Sequence, residues 1–162
     1  MDSGATNMDI ESQLRSQSHL IPEGQLRLFG CDCCQRLLSL FNDSILHELI
    51  LFGQTRSIRQ VDANEINLLR SKSDHVYNSI YPGFGDPSAM VLAISAGGEV
   101  AFTDSPLGAA INASAFAAEA VAKDAALQAS DKDYDSIFEL AYASERGHQA
   151  ELLLKYVPDG KV

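Results

Sequence analysis

Apolar residues recur every three or four positions through most of this chain and almost nowhere at every second position, a pattern that predicts helices and no sheet. Over residues 25–41, Leu26, Phe29, Cys33, Leu37 and Leu40 fall on one side of a helix. Asn42 and Asp43 suit the cap of the next, residues 44–53, in which Ile45, Leu46, Leu49 and Ile50 face inward and Gly53 supplies a C-terminal stop. So short a link predicts an antiparallel pair. Asp62 and Glu65 have capping-box spacing, and Ile66, Leu69, Val76 and Ile80 carry a stripe as far as Tyr81, where Pro82-Gly-Phe-Gly breaks it.

Asp86-Pro87 and Ser105-Pro106 each set a capping side chain before a proline at the first helical position, predicting one helix over 87–96, ended by Gly97 and Gly98, and another over 106–129. The latter is so rich in alanine that propensity alone supports it. Its narrow seam of Ala110, Ser114, Ala117 and Val121 permits close approach and places it near the centre of a bundle. A last helix over 133–156 aligns Tyr134, Ile137, Phe138, Ala141, His148, Leu152 and Tyr156 before Pro158. Only 99–103 has extended character. The expected architecture is an all-α, single-domain helical bundle of five to seven helices over residues 23–158. It follows a polar segment, 1–22, with one short helix over 9–18, and precedes a tail, 159–162.

Composition narrows the function. The 162 residues carry 12 basic and 22 acidic side chains, a net charge of −10, of which −3 lies in residues 1–81 and −7 in 82–162. Nucleic-acid binding is disfavoured, because phosphate contacts need clustered Lys and Arg. No apolar stretch approaches the ~20 residues that span a bilayer, and the first sixteen residues lack a secretory pattern, so a cytoplasmic protein with no membrane segment is expected.

Cys31, Cys33 and Cys34 put three soft ligands within four residues. Cys31 and Cys34 share a helix face, but the second Cys or His pair that completes a structural zinc site is missing, so packing as small hydrophobes is the favoured reading. Glu145-x-x-His148 matches the Glu-x-x-His element of di-iron bundles in a single copy, and His148 on the apolar seam reads as a core histidine. His47-Glu48 is half of a zinc-protease motif whose second histidine is Leu51. Asp131, Asp133 and Asp135 open like a calcium loop, yet Ser136 and Tyr142 stand where Gly and Glu are required, and helix capping explains the cluster. There is no nucleophile elbow and no phosphate-binding glycine loop. No cofactor is expected. An enzyme assembled from dispersed residues such as His75, Tyr142, Glu145 and His148 is an alternative, as is a metal or thiol protein built on the cysteines.

Residues 26–36, Leu-Arg-Leu-Phe-Gly-Cys-Asp-Cys-Cys-Gln-Arg, resemble an uncharacterised bacterial family abundant in planctomycetes with an L-R-L-F-A-C-x-C-C-R-R signature. A weaker likeness reaches Glu145-Arg146 and residues 149–153, where that family has E-R-x-x-Q-A-x-L-L. The chain departs from the signature at Gly30, Asp32 and Gln35 and has no tryptophan. The resemblance implies a helical domain with a shared first core helix and transfers no catalytic residue.

With small size, strong negative charge and no catalytic constellation, the sequence points to a non-enzymatic protein-binding module. The expected role is that of an immunity or antitoxin-like protein meeting a basic partner through Asp131, Asp133, Asp135, Glu139, Glu145 and Glu151.

Overall fold

The computed structural model describes residues 9–158. Seven α-helices follow one another: α1 (Ile10–Gln17), α2 (Glu23–Gln35), α3 (Ser44–Ile58), α4 (Ala63–Ile80), α5 (Ala89–Phe102), α6 (Pro106–Leu127) and α7 (Tyr134–Leu154). Short 3₁₀ turns occupy Ser18–Leu20, Arg36–Ser39 and Asp131–Asp133, and the described residues contain no strand.

The starts follow the capping chemistry written in the sequence. Asp9 accepts from the Ser12 N–H, Asp43 from Ile45 and Ser105 from Gly108, each satisfying one of the donors a helix leaves free at its first turn. Asp62 and Glu65 form the full reciprocal capping box of α4. One start differs. Ser88, not Asp86 before Pro87, caps α5 by accepting from the Val91 N–H, because Gly83 and Gly85 at φ 91° and 83° turn the chain so that Pro87 lies outside the helix.

The stops differ more. Gly53 lies inside α3, and Gly97 and Gly98 lie inside α5, which continues through 99–102 as helix rather than extended chain. Two of these glycines are places where helices cross. A methyl at Gly53 would sit 2.9 Å from both the Cys31 Sγ and the Val100 Cγ2, and one at Gly97 would sit 3.1 Å from Leu46 and Leu49 side-chain carbons. Gly53→Ala should therefore destabilise the fold by about 1–3 kcal/mol through overpacking. Urea titration of Gly53→Ala alone and with Val100→Ala checks this: the second change should recover part of the loss, and equal losses would place the strain elsewhere.

Packing puts α6 in the middle, against α2, α5 and α7. Ala110, Ala113, Ser114, Ala117 and Ala120 are fully enclosed, so the expected close approach along the alanine seam is what the bundle uses. The antiparallel pairing of α2 and α3 holds as well: Gly24 at the start of α2 meets Ser57 near the end of α3. The polar N-terminal segment needs correction. Ile10 and Leu14 on α1, with Ile21 behind it, belong to the main core, so that core begins at residue 10 rather than at the expected boundary of residue 23. A smaller core of Ile45, Leu49, Ile94 and Ala101 lies under α4, whose only buried residue is Ser73. The tail, 159–162, lies outside the described residues.

Candidate functional site: an acidic helix end and its surroundings

The cysteine cluster is interior. Cys31, Cys33 and Cys34 are all fully buried and free. Burial, with the Asp32 carboxylate adding to it for the first two, pushes the Cys31 thiol up to about 12 and the other two well above their ordinary range. At 100° per residue the three point to different neighbours. Cys31 reaches α3, where its Sγ lies 3.9 Å from the Ile50 carbonyl, and Cys33 feels charges on α7, Glu145 and Arg146. Among the described residues no three His, Cys, Asp or Glu side chains converge as a metal-ligand set.

Two expectations on α7 exchange places. Glu145, assigned to the outer acidic face, is buried at 4 % exposure and held by Arg36, whose Nε donates to one carboxylate oxygen at 2.6 Å and whose Nη2 donates to the other at 3.1 Å. His148, assigned to the core, is exposed. The buried line of α7 runs Glu145, Gln149, Leu153 at four-residue spacing, and His148 is turned about 100° away from Gln149. Gln149 is fully enclosed, donates to the Ser114 carbonyl at 2.9 Å and accepts from Arg146 at 2.8 Å. The two segments that carry the family resemblance thus meet at Arg36 and Glu145. A periodicity reading overlooked Glu145 and Gln149 as core positions because it scores apolar side chains, whereas these two are buried through their hydrogen-bond partners, Glu145 through the part-exposed Arg36.

The other acidic residues remain outside. Asp131, Asp133, Asp135 and Glu139 are exposed at the start of α7, and Glu151 is exposed about 18 Å farther along the helix at 1.5 Å per residue. Helix capping does not account for them. No side chain caps α7, and Asp133 instead accepts from the Ser130 hydroxyl at 2.9 Å. Asp131, Asp135 and Glu139 make no ion pair among the described residues. Beside them Tyr134, Phe138 and Tyr142 form a half-buried row of near-parallel rings with centroids 6.2 Å apart, ended by the Arg146 guanidinium over Tyr142. Leu127 at the end of α6 and Leu140 on α7 also stand exposed.

The dispersed enzyme residues do not assemble. His75 lies on α4, which packs on α3 and α5, while Tyr142, Glu145 and His148 lie on α7, which packs on α6, α2 and α1. His75 instead lines an open groove of about 1000 Å³ between α3 and α4, with Leu51, Phe52, Leu68 and the Glu48–Lys72 ion pair. No family model, curated protein or solved structure matches this chain. No helix is long and apolar enough to cross a membrane among the described residues.

Proposed function

We propose that this protein is a non-enzymatic binding module that offers the acidic start of α7 to a basic protein, in the manner of a cytoplasmic immunity or antitoxin-like inhibitor. The observation that supports the reading best is uncompensated charge. Residues 119–139 hold six carboxylates against Lys123 and Lys132, a local net charge of −4. Lys123 is turned inward onto the Pro87 carbonyl. Acid concentrated beside aromatic rings and exposed leucines fits a protein-binding surface: long-range attraction speeds encounter, and apolar contact slows release.

Binding of this kind weakens with salt, since exposed charges are screened over about 10 Å at 0.1 M. Captured on immobilised protein from extract of its own cells at low ionic strength, a basic partner should elute as salt is raised. Neutralising Asp131, Asp133, Asp135 and Glu139 together as Asn and Gln should slow association about 10- to 100-fold, whereas Glu151→Gln should have little effect. Retention of acidic partners only, or association indifferent to both salt and the fourfold change, would overturn the reading.

A further inference from the structure

Three arginines gather at one end of this acidic bundle, where α2 and α6 begin and α3 and α5 end. A cleft of about 550 Å³ opens there, lined by Arg27, Arg56 and Arg59 together with Glu23, Gly24 and Asp104. We propose that it is an oxyanion site for inorganic phosphate or a small phosphate monoester, gripped by Arg27 and Arg56.

The argument rests on what these two guanidiniums are bonded to. Arg27 is buried at 3 % exposure, and its partners are both backbone carbonyls: Nη1 donates to Val100 at 2.8 Å and Nη2 to Asp104 at 3.0 Å. Arg56, also largely enclosed, donates through Nη1 to the Ala101 carbonyl at 3.0 Å. The carbonyl end of α5 offers the equivalent of about half a negative charge, against two full positive ones. A buried charge without a counter-charge is costly, and here the two like charges also repel. Burial first, and then the neighbouring Arg56, pull Arg27 below the ordinary arginine range.

The carboxylates at hand do not close the gap. Glu65 is committed to Arg59 and to the α4 capping box. The Glu23 side chain makes no hydrogen bond or ion pair among the described residues. Asp104 reaches Arg56 with one oxygen at 3.2 Å, and its side chain is 94 % exposed to water, which screens the pair. A solvated carboxylate resting against Arg56, beside the fixed guanidinium of Arg27, occupies the place that a bound oxyanion would take. Guanidiniums held by carbonyls are already oriented, so little rotamer freedom is lost on binding. The first turn of α2 borders the cleft as well, and Pro22 before it offers no side-chain acceptor to the free N–H groups there. A cleft of this size lies within the range of small-molecule sites and has room for an organic group on the phosphate.

The test uses the whole chain at constant ionic strength, chloride being exchanged for inorganic phosphate in one series and for glycerol phosphate in another, followed by backbone amide NMR. Saturable shifts at Glu23, Gly24 and residues 103–105 are expected. Arg56→Gln should weaken binding about tenfold, the worth of one charge-assisted hydrogen bond. Asp104→Asn, on an exposed side chain that does not threaten folding, should tighten it about threefold by removing the resident competitor. Tighter binding of glycerol phosphate than of phosphate identifies a monoester as the occupant, and equal binding identifies the free ion. Shifts that never saturate, or an Asp104→Asn protein that binds no more tightly than the parent, would overturn the proposal.

Discussion

Arg36→Met should cost this fold about 3–5 kcal/mol, whereas Glu145→Leu should cost about 1–2 kcal/mol, although both break the same ion pair. The asymmetry follows from exposure. The Glu145 side chain is 4 % exposed and the Arg36 side chain 38 %. Without Arg36, a carboxylate stays enclosed in the bundle with nothing to neutralise it, since the neighbouring Arg146 is engaged with Gln149. Without Glu145, the arginine turns its head to water and keeps its stem on the surface. Replacing both by apolar residues should recover most of the loss, because a buried ion pair contributes little beyond what well-packed hydrophobes supply. Urea unfolding of the two single variants and the double variant measures all three values. A Glu145→Leu protein as unstable as Arg36→Met would show that the pair is not buried in the way described.

Alkali should unfold the protein steeply above pH 9. The three thiols have folded-state pKa values raised by burial, Cys31 to about 12 and Cys33 and Cys34 well above their ordinary value near 9. Below pH 9 the thiols are protonated in both states and contribute no pH dependence. Above it the unfolded chain gives up protons that the folded chain retains, so stability falls as pH rises, by about 1.4 kcal/mol per pH unit for each thiol. Two units of pH across three thiols amount to roughly 8 kcal/mol, as much as the whole stability of many small domains. Tyr156 acts in the same direction from pH 10 upward, since burial and its hydrogen bond to Asp32 raise its pKa. Thermal unfolding from pH 8 to 11 should show this slope, lessened by about a third in Cys33→Ala. At pH 8 the native thiols should react with a thiol reagent only as fast as the chain opens. Rapid labelling, or a flat profile up to pH 11, would remove the cysteines from the interior.

Both predictions concern positions that the sequence pattern treated unequally. The cysteines could be placed inside from their neighbours alone, since Leu26, Phe29 and Leu37 surround them at helical spacing and a free thiol packs as a small hydrophobe. Glu145 could not. Its burial depends on an arginine 109 residues earlier in the chain, and no local window contains both.

The same division holds across the molecule. Helix identity, most helix starts and the enclosed alanine seam were readable in the chain, because caps and apolar periodicity act over a turn or two and nearby side chains settle them. The cationic cleft, the exchange of Glu145 for His148 and the true helix ends were not. Gly53 and Gly97 carry the signal of a stop and serve as crossings, and Arg27 and Arg56 look like surface charge until α5 delivers its carbonyls to them. A glycine or a charged residue takes its role from whatever distant segment comes to lie against it, and that is settled only when the helices pack together.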